Sequence, residues 1–219
     1  MVADLTPGAT PRTQLRRLPE KAANSREALE AVLDAGLIAH IAVADSGQPY
    51  ALPVAYARDG DRVLVHGSTG SRLFRLLAAG SPACLTVTLL DGLVLARSAF
   101  ESSMHYRSAM VLGRCAAVSD DAKAAALDRL VDHLMPGRRA DLRPHTRREL
   151  AATLVLALPL DECSVKVSAG PPDDDPADLD LPVWAGVLPL RMTCGVARPA
   201  PDLSADLPVP AYVRTWTRR

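Results

Sequence analysis

The sequence predicts an α+β fold in which a single antiparallel β-barrel carries a few peripheral helices. Short runs of strand-forming residues follow one another, and Gly, Asp and Ser mark the turns between them. Most connections are too short for the crossover helix that parallel strands require. Short antiparallel strands at regular spacing are typical of a closed or partly closed barrel.

The composition supports a globular domain and excludes several classes of function. Hydrophobic residues make up 48% of the 219 residues, so a sizeable core can form. Lys and Arg total 25, as do Asp and Glu, which gives a formal net charge of zero. Without a global basic field, binding to nucleic acid or to an anionic membrane is not expected. No membrane span or signal peptide stands out, so a cytoplasmic protein is expected.

Three regions are expected along the chain. Residues 1–23 carry three prolines and no periodicity, and they predict an extended N-terminal arm. Residues 24–168 hold the strand pattern and form the barrel domain. Residues 169–219 begin with an acidic, Pro-rich stretch that contains five Asp, and they continue as an irregular tail.

Two longer helices are predicted within the domain. The first starts with Asn24 as N-cap and Glu27 in a capping box, and it stops at Gly36. The second spans residues 120–134, with apolar side chains along one face. A short third helix is expected over residues 72–79.

The strands are predicted from apolar runs bounded by turn residues. An Asp91-Gly92 dipeptide between two such runs is a strong signal for a tight hairpin. The predicted strands cover residues 37–44, 50–57, 62–66, 83–90, 93–97, 104–118, 154–160 and 164–168.

A loop that could hold a phosphate follows one of these strands. The segment from His66 to Arg72 has glycines that let the backbone approach a ligand closely. The hydroxyl groups of Ser68 and Ser71 can donate hydrogen bonds, and Arg72 offers a planar, charged fork. The GK[ST] ending of a P-loop is absent, and a plain turn with a serine cap is the alternative.

Two further places offer polar groups to a ligand. Tyr106, Arg107 and Ser108 open a strand and could stack on and hydrogen-bond a flat heterocycle. The alternative is an ordinary edge strand with alternating faces. Lys166 could supply a cation, or it could be a solvent-facing strand lysine.

No arrangement of acid, base and nucleophile is visible. The cysteines at positions 84, 115, 163 and 194 lie far apart and match no zinc motif, so no metal site is expected. Hard chemistry would therefore have to come from a cofactor.

The motifs, taken in order, resemble those of the pyridoxamine 5′-phosphate oxidase-related FMN-binding split barrels. Within that family the likeness is greatest to the branch of the 5-nitroimidazole reductases. The matching series covers about residues 24–190 and comprises Leu52-Pro53-Val54-x-Tyr56, His66-Gly67-Ser68-x-Gly70-Ser71, Tyr106-Arg107-Ser108, Lys166, and Trp184-Ala185-Gly186-Val187-x-Pro189.

The resemblance implies a homodimer with FMN in clefts between the subunits. The FMN phosphate would bind the loop of His66, Gly67, Ser68, Ser71 and Arg72. Pro53 and Val54 would run beside the isoalloxazine, while Tyr106, Arg107 and Ser108 would close on the cofactor. Lys166 and Trp184 would approach the same site. His66 is expected to contact the flavin or the substrate, or else to brace the loop.

The expected function is that of an FMN-dependent oxidoreductase that reduces a small acceptor, with a nitroaromatic compound as one candidate and NAD(P)H as a candidate donor. The alternative is a split-barrel protein that binds a flavin or a haem without turnover. A deazaflavin cofactor stays open at this point, and oxidation of pyridoxamine 5′-phosphate itself is the least favoured activity.

Overall fold

The computed structural model describes residues 6–204 and 207–217. Its helices are α1 (Arg26–Ala35), α2 (Arg72–Ala78), α3 (Asp120–Leu134), α4 (Arg147–Ala152) and α5 (Ala211–Arg214). Its strands are β1 (Ala39–Asp45), β2 (Gln48–Val54), β3 (Tyr56–Asp59), β4 (Arg62–Ser68), β5 (Pro82–Leu95), β6 (Ser103–Arg114), β7 (Ala116–Ala117), β8 (Thr153–Pro159), β9 (Glu162–Ser168) and β10 (Gly186–Pro189). None of the described helices is long and apolar enough to cross a bilayer.

The strands form two antiparallel sheets that share one core. The first sheet has the order β2-β1-β5-β6-β9, with β10 also paired to β5. The second has the order β3-β4-β8-β7. Only Ala55 separates β2 from β3, so the chain passes directly from one sheet to the other. The predicted α+β fold, an antiparallel split barrel with a few peripheral helices, is confirmed.

The core lies between the sheets and under α1. Along β1, Ala39, Ile41 and Val43 are buried while the residues between them are not, as expected of a strand with one face on the core. Tyr56 is fully buried, and its hydroxyl donates to the Leu33 carbonyl of α1 at 2.6 Å. Cys115 is also buried, and burial raises the pKa of its thiol to about 11. A buried thiol of that kind is unreactive at neutral pH.

Helix α1 begins one residue later than predicted. Its N-cap is Ser25, whose hydroxyl accepts from the Ala28 N–H at 3.2 Å, so the predicted cap at Asn24 is wrong. Both residue types cap helices well, and the sequence could not rank two adjacent candidates. The predicted stop at Gly36 is confirmed.

The predicted hairpin at Asp91-Gly92 is also wrong. Strand β5, which is 14 residues long, continues through this dipeptide without a turn. The register of its pairing with β6 shifts between Leu90 and Gly92. Asp91 is the extra residue of a β-bulge, and its carboxylate accepts two hydrogen bonds from Arg107, at 2.8 and 2.9 Å. A Cβ at Gly92 would lie 3.1 Å from the Leu188 carbonyl oxygen, so the glycine allows β10 to approach β5.

The described part of the N-terminal arm lies along the edge of β9. Gly8 donates to the Cys163 carbonyl at 2.7 Å, and Ala23 donates to the Val165 carbonyl at 3.1 Å. The Arg12 Nε donates to Glu162 of the same strand at 2.9 Å. The first five residues of the predicted arm lie outside the described residues.

The segment after β9 returns to the barrel instead of leaving it. Asp174 accepts from the Arg97 backbone N–H at 2.6 Å and from its Nη1 at 2.7 Å. Between β10 and α5 most of the described residues are exposed, and after α5 the Trp216 Nε1 donates to the Leu134 carbonyl at 3.0 Å. Residues 205, 206, 218 and 219 of the predicted tail lie outside the described residues.

Candidate functional site

Four of the predicted site residues share the face of the first sheet that points away from the core. Tyr106 and Ser108 alternate with buried Ala109 along β6, and Lys166 is the β9 partner of Ser108. Pro53 lies on the same face at the far side of the sheet, because it pairs with His40 of β1. The Lys166 Nζ lies 5.8 Å from the centroid of the Tyr106 ring.

Two other predicted residues do not join this face. Val54 is buried in the barrel core, so it can support the neighbouring Pro53 but does not present its side chain to a ligand there. Arg107 points away from Ser108 and is held by Asp91, an ion pair that raises the pKa of the guanidinium. The structure thus separates the residues of the Tyr-Arg-Ser motif onto two faces.

The predicted phosphate loop forms the connection between β4 and α2. Ser68 ends the strand, and its hydroxyl accepts from the Gly70 N–H at 3.1 Å. Ser71 occupies the N-cap position of α2 without a side-chain capping bond. Two hydroxyl groups and several backbone N–H groups therefore lie close together in this loop.

Arg72 is held beside the loop by the β1–β2 hairpin. Its Nε donates to Asp45 at 2.8 Å, and its guanidinium lies 4.7 Å above the centroid of the Tyr50 ring. Its side chain is still 60% exposed, so part of the N–H fork faces solvent. This arrangement fixes a positive charge next to Ser71 while leaving donors available to an anion.

Gly67 serves the packing of α2. A Cβ at this position would lie 2.8 Å from the Cγ of Phe74, and closer still to two other ring atoms. Phe74 is 5% exposed and belongs to the main core. The missing side chain therefore lets the helix, and with it the loop, sit tightly against β4.

His66 stands where the two sheets part. Strand β4 pairs with β8 through Ser68, but its pairing with β3 ends at Val65, one residue before His66. The His66 ring is partly buried, and its Nδ1 is buried with no hydrogen-bond partner among the described residues. Burial lowers the pKa of this imidazole, so it is neutral at pH 7.

A groove that the sequence did not reveal lies at one end of the outer face. Its volume is about 500 Å³, and its floor is made of small apolar residues such as Ala42, Ala44 and Pro49. Arg12 and Arg114 also line it. A flat, apolar group with an anionic substituent matches this lining. The sequence signal for this groove was the pair of small residues, Ala42 and Ala44, on the outer face of β1. Small residues alone do not indicate which ligand a groove binds.

Trp184, the last predicted site residue, lies just before β10 and is 68% exposed. Its ring packs over Gly186, where a Cβ would lie 2.8 Å from the indole. Other large apolar side chains in this region are exposed as well, including Phe100, Leu93, Leu95 and Leu188. Trp184 is thus placed on a surface that a single chain leaves uncovered.

The two antiparallel sheets and their few peripheral helices define the class of the protein as a split barrel, and comparison with known proteins identifies its family. The profile of the family described as pyridoxamine 5′-phosphate oxidase matches residues 25–167. The chain therefore belongs to the pyridoxamine 5′-phosphate oxidase-related family, the flavin-binding split barrels that its motifs resemble. No curated protein sequence matches it significantly.

Solved structures give a closer comparison. The chain is 48% identical to the FAD and haem binding protein from Mycobacterium smegmatis, with a TM-score of 0.86 over 89% of this chain and 96% of that one. It is 40% identical to a flavocytochrome from Azotobacter vinelandii, with a TM-score of 0.89 over 95% and 97% of the two chains. A candidate 5-nitroimidazole antibiotic resistance protein from Bacteroides thetaiotaomicron shares the fold at 21% identity, with a TM-score of 0.57 over 67% and 86%.

Proposed function

We propose that this protein binds a flavin and a haem and transfers electrons between them. The observation that carries the proposal is the 48% identity to a protein described as binding FAD and haem. The match covers 96% of that protein's chain. The similarity to a flavocytochrome at 40% identity supports the same pair of cofactors. The proposal therefore combines two expectations from the sequence. It takes the haem from the alternative, a flavin- or haem-binding barrel, and the electron transfer from the expected oxidoreductase.

The flavin is proposed to be FAD, as in the names of these relatives, in place of the FMN that the family resemblance implied. FMN and FAD share the phosphate next to the ribityl chain, so the loop of Ser68, Ser71 and Arg72 suits either. The exposed half of the Arg72 fork and the Ser71 hydroxyl would bind that phosphate.

The side chains of the phosphate loop and of the outer face around Lys166 are proposed to bind and orient cofactors without acting as acids or bases. A flavin exchanges one or two electrons and a haem iron exchanges one, so the cofactors supply the redox chemistry. Lys166 has no ion-pair partner among the described residues, and its neighbours Ser108 and Tyr106 offer it a hydroxyl group and an aromatic ring. It would neutralise a phosphate or carboxylate group of a bound cofactor.

The working unit is proposed to be a homodimer. The exposed apolar side chains around β10 and the tip of the β5–β6 hairpin, Trp184 and Phe100 among them, would be covered by a second copy.

NAD(P)H is proposed as the electron donor and a small molecule as the final electron acceptor. The reaction is proposed to take place in the cytoplasm. A nitroaromatic acceptor is the less favoured choice, since that likeness is at 21% identity.

The proposal is tested by purifying the protein after expression with added haem precursor. We expect a flavin spectrum together with a Soret band, FAD in the released flavin by chromatography, and dimers by light scattering. Both chromophores should be reduced by NAD(P)H, or by dithionite if a separate reductase is needed, and reoxidised by an acceptor. A protein that binds flavin but no haem under these conditions would instead support the single-cofactor oxidoreductase. A protein that binds haem but no flavin would contradict the assignment of the loop as the flavin phosphate site.

Replacing Arg72 tests the phosphate loop. The Arg72→Ala variant should lose about tenfold in flavin affinity, because one charge-assisted contact to a phosphate disappears from a partly exposed site. Titration of the apoprotein with FAD, FMN and riboflavin measures the effect. The matched control is Arg75→Ala, which removes an exposed arginine from the same helix and should bind like the wild type. Equal affinity of the wild type for riboflavin and FMN would show that the loop holds no phosphate.

A further inference from the structure

The groove at the end of the outer face lies apart from the phosphate loop. Arg72, which stands beside that loop, contacts Asp45 and Tyr50 of the β1–β2 hairpin. These two side chains lie on the same face of the hairpin as buried Val43, because Tyr50 pairs with Val43 and side chains alternate along a strand. Ala44, which lines the groove, lies on the opposite face. The groove is therefore a separate place for a ligand.

Small side chains lie in the middle of the groove and larger ones at its sides. Ala42 of β1 pairs with Cys84 of β5, and Cys84 pairs in turn with Leu112 of β6. Pro49 of β2 lines the opposite side. Neighbouring strands are about 4.8 Å apart, so this floor is wide enough for a flat body of one or two aromatic rings. The volume of about 500 Å³ is in the range of small-molecule sites.

The charged side chains of the groove lie on one side, where β6 and the N-terminal arm meet. Arg114 of β6 donates to the Gly80 carbonyl, and no described carboxylate pairs with it. Arg12 of the arm is neutralised by Glu162, to which its Nε donates at 2.9 Å. Among the described lining residues, Arg114 thus carries a positive charge without a counter-charge, next to an apolar floor.

The two proposed cofactors do not match this groove. The flavin phosphate is assigned to the loop on the other face of the hairpin. A haem iron needs an axial ligand, and the described lining residues include no histidine, methionine or tyrosine. Cys84 does line the groove, but burial raises the pKa of its thiol and so disfavours the thiolate that would bind iron.

We propose that the groove binds a small aromatic carboxylate, with its rings on the floor of Ala42, Ala44 and Cys84 and its carboxylate at Arg114. The planar N–H fork of an arginine matches the two oxygens of a carboxylate. The bond from Arg114 to the Gly80 carbonyl holds the guanidinium in place and leaves its other N–H groups to the ligand. This site does not depend on the proposed function, since neither flavin nor haem takes part in it.

The test compares two compounds that share one ring system and differ in charge, 2-naphthoate and 2-naphthamide. Each is titrated into the purified full-length protein, with its cofactors as isolated, by isothermal titration calorimetry. We expect naphthoate to bind about tenfold more tightly than naphthamide, because only naphthoate makes a charge-assisted contact. Added salt should weaken the binding of naphthoate alone.

Two charge variants should change the affinity for naphthoate in opposite directions. Arg114→Ala should lower it about tenfold and leave the affinity for naphthamide unchanged. Glu162→Gln keeps a hydrogen-bond acceptor for Arg12 but removes the negative charge beside it, so the affinity for naphthoate should rise about threefold. The matched control is Arg75→Ala, which removes an exposed arginine outside the groove and should change neither affinity.

A third variant tests the floor of the groove. Ala44 is exposed, so Ala44→Leu should fold normally while its larger side chain occupies the place of the rings. It should weaken both compounds at least about tenfold, since they use the same floor. A circular dichroism spectrum equal to that of the wild type shows that the variant is folded.

Several outcomes would overturn the proposal. Equal affinities of the wild type for the two compounds would show that the groove does not select an anion. Unchanged binding of naphthoate to Arg114→Ala would remove that residue from the site. If neither compound bound and Ala44→Leu shifted dimers toward monomers in light scattering, a second copy would occupy the groove instead. A wild type without flavin or haem would contradict the proposed function and leave this site standing.

Discussion

The Gly67→Ala variant should unfold at a clearly lower temperature than the wild type. The added methyl group would occupy space now filled by the Phe74 ring, and Phe74 is buried on a helix that packs against both sheets. Overpacking of this kind costs about 1–3 kcal/mol, even though alanine is otherwise favoured over glycine in a strand. For a chain of this size the melting temperature should fall by about 3–10 °C.

The matched control is Gly70→Ala, three residues along the same loop. A Cβ there meets only the Ser68 hydroxyl oxygen, at 3.6 Å, which is an ordinary contact. This variant should melt within a degree or two of the wild type at equal protein and cofactor concentration. If Gly67→Ala were as stable as Gly70→Ala, then α2 would not be packed as tightly on β4 as the structure shows.

The Asp174→Ala variant should release the segment between β9 and β10. The Asp174 side chain is only 4% exposed and accepts two hydrogen bonds from Arg97, one of them from the backbone. Its removal would leave the Arg97 guanidinium largely buried without its counter-charge, and the Arg97 Nε already has no described partner. Because Arg97 is about a quarter exposed and water can replace part of the contact, we expect a cost of about 2–3 kcal/mol.

Limited proteolysis measures this effect directly. In Asp174→Ala the segment of residues 170–185 should be cut much faster than in the wild type, while the barrel resists. Asp173→Ala serves as the control, because Asp173 is exposed and makes no described hydrogen bond. Equal cleavage rates in the two variants would show that the Arg97–Asp174 pair does not anchor the segment.

Local sequence patterns were sufficient to predict much of the barrel. The helical periodicity of residues 120–134 coincides with α3, and the alternation along β1 identifies its buried face. Both features depend on neighbours within a few residues, which the sequence displays directly. The motif order in turn identified the family, because it samples several strands at once.

The parts that were mispredicted depend on distant partners. Asp91-Gly92 forms a bulge instead of a turn because β10, almost a hundred residues later, pairs with the continuation of β5. The sequence shows that the stretch after β9 contains five Asp, but only the fold shows that Asp174 forms an ion pair with Arg97. The face on which Arg107 lies follows from the two-residue alternation along β6, but its carboxylate partner, Asp91, is supplied by the bulge in β5.

The two outermost strands of the first sheet constrain how copies of this protein can associate. An exposed strand edge is a template for aggregation through backbone pairing. On one side the N-terminal arm already occupies hydrogen-bonding groups of β9. On the other side β2 contains Pro49 and Pro53, which have no N–H to donate to an added strand. Growth into fibrils by strand addition is therefore disfavoured at both ends, and self-association is directed to the faces of the barrel.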